Sequence, residues 1–151
     1  CKETPFHYFD ESLYQMVSGY RRHLLIPKNW QGKRILLTFE GAAHDSTVFC
    51  NGKKVGEHHC GYTAFTVDLT DSVLYGQDNL LCVRLDSREN LNVPPFGYVI
   101  DYMMYGGIYR PVYLEVRENM HFRDVFVMPD DSDRFQIVSR DSSDHLRDHA
   151  Y

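Results

Sequence analysis

The sequence predicts an all-β domain built as a sandwich or jelly roll, and three observations carry that reading. From Gly19 onward the chain breaks into short apolar runs, each bounded by a turn signal. Aromatic residues make up 14% of the chain, with 11 Tyr and 9 Phe, and such side chains suit pleated, half-buried strands. No stretch carries a long amphipathic helical period.

The predicted elements follow in order. The opening residues 1–18 have mixed character and read as a wrapping loop with a short helical turn. The run Tyr20-Arg21-Arg22-His23-Leu24-Leu25-Ile26 reads as a strand stopped by Pro27, and Lys33 to Glu40 as a second, closed by Gly41. Val48–Cys50 and Lys53–Val55 flank Asn51-Gly52, a dipeptide that favours the positive φ angles of a type I′ turn, so a hairpin is expected there. Thr63 to Val67 supplies another strand. In Asn79 to Asp86, Leu81, Val83 and Leu85 share one face. Ile108 to Val116 reads as one strand with Pro111 at an edge or bulge, since proline cannot donate to a ladder.

Between these last two runs lie residues 87–107, with Pro94-Pro95 and Gly97. A connection this long inside a small domain is usually functional, and its aromatic content argues against disorder. Beyond Glu118, residues 121–129 and 134–138 read as two further strands, which cannot close a core alone. Residues 1–118 are therefore read as one sandwich and residues 119–151 as the incomplete start of a second β domain.

With 151 residues the chain can bury roughly 68–70% of its unfolded surface and needs no staples. Its net charge of −5, without a clustered basic stripe, argues against nucleic acid as a partner. No apolar run approaches the ~20 residues of a membrane-spanning helix. The chain starts at Cys1 rather than Met and reads as an internal piece of a longer protein. Cys1, Cys50, Cys60 and Cys82 form no CxxC pair, which excludes a zinc ribbon or thioredoxin-like motif. A Cys50–Cys60 bridge is the weaker alternative to reduced thiols in a cytoplasmic protein. His58 and His59 point to opposite strand faces and cannot easily share a metal with His44, so no metal site is expected. His23 is placed in the core or at its rim. No nucleophile elbow or phosphate-cradling glycine loop is present.

Four stretches carry a family resemblance. Val48-Phe49-Cys50-Asn51-Gly52-Lys53-Lys54-Val55-Gly56, then Gly61-Tyr62-Thr63-Ala64-Phe65, then Gly76 to Asp86, and finally Tyr105-Gly106-Gly107-Ile108-Tyr109-Arg110-Pro111-Val112-Tyr113-Leu114 occur in this order. Together they resemble the sugar-binding domain of glycoside hydrolase family 2, over roughly residues 19–118, with a β-galactosidase flavour at residues 91–102. The usual P-x-D-W entry strand, and a sugar-contacting Asn that some members carry, have no counterpart here.

The resemblance implies a galactose-binding-domain-like jelly roll beside a catalytic (β/α) barrel, followed by an immunoglobulin-like domain. In the family both catalytic carboxylates of the retaining mechanism lie in the barrel. No residue here is therefore expected to be catalytic, and the chain alone should be inactive. The position before the glycine signature, Asp101, corresponds to an aspartate that contacts the sugar and, in some members, a sodium ion. Sodium or magnesium would belong to the full enzyme and not to this piece. Tyr102, Tyr105 and Phe96 are candidates for stacking on a sugar ring or for packing. Gly106, Gly107 and Arg110 form the structural signature, with Arg110 expected to pair with an acidic group and fix the loop. The implied partners are β-galactosides, the barrel, and further subunits of a homo-oligomer. A free-standing carbohydrate-binding module and a β-glucuronidase-type parent are the rival readings.

Overall fold

A computed structural model describes residues 15–88, 106–130 and 134–141, which form strands, turns and a single 3-10 turn at Lys28–Trp30. The strands are β1 (Val17–Ile26), β2 (Arg34–Phe39), β3 (Ala42–Ala43), β4 (Asp45–Cys50), β5 (Lys53–His59), β6 (Phe65–Asp68), β7 (Gln77–Asp86), β8 (Gly107–Ile108), β9 (Val112–Arg117), β10 (Phe122–Asp130) and β11 (Arg134–Asp141). A four-stranded antiparallel sheet in the order β1-β7-β4-β5 packs on a three-stranded sheet in the order β6-β2-β9, the jelly-roll sandwich that the sequence predicts. The short pair β3-β8 bridges one end.

Alternation fixes which residues meet between the sheets, because residues paired across a ladder share a face. Val48 pairs with Val83, and Leu81, Val83 and Leu85 all turn inward. Ile35, Leu37 and Phe39 of β2 face them, and all six are buried. Phe39 stacks on Phe65 with ring centroids 4.7 Å apart, closing the core toward β6.

The Asn51-Gly52 turn forms as expected, with φ of 50° and 82° at its two residues. Asn51 does more than turn the chain. Its Oδ1 accepts from the Leu80 amide at 2.9 Å, and its Nδ2 donates to Asn79 Oδ1 at 2.8 Å. Asn79 is 1% exposed, and it also accepts from Leu74 N at 2.7 Å and donates to the carbonyls of Leu74 and Gln77. One buried amide thus ties the β4–β5 hairpin to the turn that enters β7, and a buried polar group so completely satisfied is a specific lock.

The run expected as one strand at residues 108–116 is two, β8 and β9, with Pro111 between them. Gly107 and Ile108 pair with β3, while β9 pairs with β2, and Pro111 offers only its carbonyl, which accepts from Glu40 N at 3.0 Å. His23 is exposed on β1 and hydrogen-bonds Asp78, so it is a rim residue and not a core one. Cys50, Cys60 and Cys82 are free thiols, and no Cys50–Cys60 bridge forms. Among the described residues β10 and β11 pair only with each other, and Phe122, Val125, Phe126 and Val127 are exposed.

Candidate functional site

The long segment expected to carry the site leaves the sandwich after β7 and returns at β8, and both feet stand on β3. At the outgoing foot, buried Ser87 donates its hydroxyl to the Ala43 carbonyl at 3.0 Å. The amide of His44 donates to the Asp86 carbonyl at 3.1 Å. At the returning foot Gly107 pairs with Ala43 itself. The end of β7 and the start of β8 are thus both drawn to Ala43. The peptide joining Ala43 to His44 is cis.

The glycines here are needed for close approach. Gly107 has φ of 98°, in the left-handed region that other residues avoid, and a Cβ on it would stand 2.8 Å from the Tyr20 hydroxyl. A Cβ at Gly61 would stand 2.8 Å from His44 Nδ1 and 3.1 Å from Ala43 Cβ. The Tyr109 hydroxyl donates to the Gly61 carbonyl at 2.6 Å, which binds the 61–63 turn to the returning foot. Arg110 lies over the Tyr109 ring at 5.5 Å. The expected carboxylate partner falls outside what the described residues test, since Asp101 is not among them.

The electrostatics around these feet follow from burial and from arginine. Arg88 hydrogen-bonds Asp86 through two nitrogens, Nε at 2.9 Å and Nη2 at 2.7 Å, and holds that carboxyl down at about 2. Burial pushes His44 below its ordinary value, against an opposing pull from Asp45, so its imidazole is neutral at neutral pH. His58 is also lowered by burial, and further by the neighbouring His59; it stacks on Phe65 at 4.5 Å and meets the Thr63 hydroxyl at 2.8 Å. The two histidines do face opposite ways, His59 meeting Asp45 at 2.9 Å on the other side of β5. The Thr63 hydroxyl and the amides of Tyr62 and Thr63 lower the Cys60 thiol.

Gly106, Gly107 and Arg110 stand at the returning foot, while Asp101, Tyr102, Tyr105 and Phe96 lie outside the described residues. Ser87, Ala43 and His44 complete the platform and carry no signal in a single sequence, because their roles arise only when β3 meets β7 and β8; Gly61 joins them, and the sequence marks it only as the start of a motif block. Among the described residues no three His, Cys, Asp or Glu side chains stand together to hold a metal.

Fold and platform together define a jelly-roll β-sandwich in which the strands on either side of residues 89–105 meet at β3. The comparisons give it a family. Residues 5–117 match the description "Glycosyl hydrolases family 2, sugar binding domain", and the chain belongs to that family. It is 43% identical over 130 residues to a β-galactosidase of Thermoanaerobacter pseudethanolicus, covering 85% of this chain and 18% of that protein. It is 41% identical over 102 residues to a β-glucuronidase of Bacteroides fragilis, covering 68% of this chain and 14% of the other. Among solved structures, a β-D-glucuronidase of Dictyoglomus thermophilum superposes with a TM-score of 0.74 at 26% identity, over 83% of this chain and 25% of that one. The chain therefore spans under a fifth of the length of these curated relatives.

Proposed function

We propose that this chain is the non-catalytic sugar-binding domain of a retaining β-galactosidase-like enzyme, lending Asp101 to the rim of an active site built on a separate barrel. The observation that supports this most is the common footing of Ser87 and Gly107 on Ala43, the two residues that bracket the stretch carrying Asp101 in the sequence. A carboxylate held there accepts paired hydrogen bonds from adjacent sugar hydroxyls and discriminates between epimers that move one of them. The protein's task is orientation; bond cleavage belongs to two barrel carboxylates that this chain does not supply.

In this reading β10 and β11 open a second, immunoglobulin-like sandwich, and the exposed Phe122, Val125, Phe126 and Val127 pack against its remaining strands. The free thiols support a reducing, cytoplasmic compartment. A parent of β-glucuronidase type is the second reading, favoured by the Bacteroides fragilis relative. A chimera separates them. With this chain replacing the matching region of the Thermoanaerobacter pseudethanolicus β-galactosidase, nitrophenyl β-galactoside should be cleaved in preference to the β-glucuronide. The opposite preference would reassign the sugar, and an inactive, misfolded chimera would count against the shared architecture.

A further inference from the structure

A buried ionisable side chain stands where the two feet meet. His44 follows Ala43 and is only 7% exposed. Its amide donates to the Asp86 carbonyl at the outgoing foot, while Ala43 accepts from Ser87 and pairs with Gly107 of the returning foot. The ring packs on the 61–63 turn so closely that a Cβ on Gly61 would stand 2.8 Å from Nδ1. The Tyr109 hydroxyl ties that turn to the returning foot through the Gly61 carbonyl. One imidazole is thus packed where β3, both feet and the turn converge.

The surroundings suit the ring neutral and not charged. Nδ1 is buried and meets no hydrogen-bond partner among the described residues. The carbonyls of Ala43, Gly61 and Asp86 already accept from Ser87, Tyr109 and the His44 amide. The ionisable groups nearby are engaged as well. Asp45 of β4 favours the protonated ring, but its carboxylate also meets His59 Nδ1 at 2.9 Å. Arg84 and Arg88 hold the Asp86 carboxylate of β7, Thr63 bonds His58 of β5, and the turn's own donors hold the Cys60 thiol. Burial outweighs Asp45 and pushes His44 below its ordinary value. A buried imidazolium without an acceptor is costly, whereas moving it into water breaks only the contacts at the feet.

We propose that His44 is an acid-operated latch: on gaining a proton it leaves its seat, and the strands flanking residues 89–105 detach from β3 while the rest of the sandwich stays folded. The released ring titrates near its ordinary value of about 6.5, and the seated ring lower. Opening is therefore independent of pH above that value. Below it, opening grows by up to about tenfold per pH unit until the pH reaches the lowered value of the seated ring. The latch acts whatever residues 89–105 touch, so it stands apart from the sugar reading.

Hydrogen exchange followed by NMR between pH 7.5 and 5, corrected for the intrinsic rate at each pH, tests it. The reporters are the His44 amide, which donates to Asp86, and the Ser87 amide, which donates to Met16. Core amides of Leu37 and Val83 serve as reference. The feet should be less protected than the core throughout, and their protection should fall by up to about tenfold per pH unit below about pH 6.5. In a His44→Gln chain the feet should lose that pH dependence, and in a His58→Gln chain they should keep it. Foot protection that is flat with pH, that equals the core's at pH 5, or that still falls in His44→Gln overturns the proposal. Should His44→Gln not fold, the parent chain decides by itself: an NMR titration placing the His44 ring at or above its ordinary value removes the latch.

Discussion

Replacing Asn79 removes a single side chain and unpairs three groups. The Asn79→Ala chain leaves Leu74 N, Leu74 O and Gln77 O without the partners they hold at 2.7, 2.9 and 3.0 Å, while Asn51 Nδ2 keeps the Ser72 carbonyl at 3.0 Å. A buried group left unsatisfied costs about 1–3 kcal/mol. Leu74 and Gln77 lie near the surface, where water can replace part of what is lost, so the lower end applies to them and the total comes to about 3 kcal/mol. In a domain of this size that lowers the melting temperature by about 6–12 °C. Urea unfolding and calorimetry would read it directly. The Asn79→Asp chain separates the hydrogen bonds from simple packing. It keeps the acceptor but turns a carboxylate oxygen toward the carbonyls, so at neutral pH it should be less stable than Asn79→Ala. Burial there raises the new acid's pKa, so the deficit relative to the parent chain should shrink as pH falls and the acid becomes a donor. A loss below about 1 kcal/mol in Asn79→Ala, or a pH-independent deficit in Asn79→Asp, would refute the assignment of this amide as a lock.

Three further outcomes follow from the platform. Gly61→Ala forces a methyl to within 2.8 Å of His44 Nδ1 and should cost about 1–3 kcal/mol in urea unfolding. Because burial lowers His44 and His58 in the folded state, the unfolded chain binds more protons near pH 6.5, so stability should rise as pH rises through that range. His44→Gln should flatten that rise, and calorimetry at several pH values checks it. Asp86, held at about 2, acts lower: its contribution is complete above about pH 4 and is lost as pH falls toward 2. Finally, Cys60 should alkylate several-fold more slowly in Thr63→Val at neutral pH, while Cys50, buried and with its thiol pushed up, reacts only on unfolding. Peptide mass mapping with iodoacetamide distinguishes them.

The elements that were legible in the sequence are those whose cause is local. Asn51-Gly52 sets its own turn, and the inward set Leu81, Val83 and Leu85 follows from alternation alone. The four motif blocks added the family. The platform was not legible, because Ala42-Ala43 is too short and featureless to read as a strand. It becomes one only where Gly107 arrives with positive φ and Ser87 reaches the same residue. Pro111 misled for a related reason: a continuous apolar run concealed that its two halves serve different sheets. Gly61 is marked by its motif block, but its close approach to His44 is not, because neither position announces the other.

If Asp101 contributes to a sugar site in the full enzyme as proposed, its removal is felt in kcat/KM, and Asp101→Ala in the active chimera measures this. Loss of charged hydrogen bonds to the reacting sugar should lower kcat/KM for the β-galactoside by about 100-fold, with folding and melting temperature unchanged. An Asp101→Ala chimera as active as its parent would contradict the account and leave this sandwich a scaffold without a hand in the site.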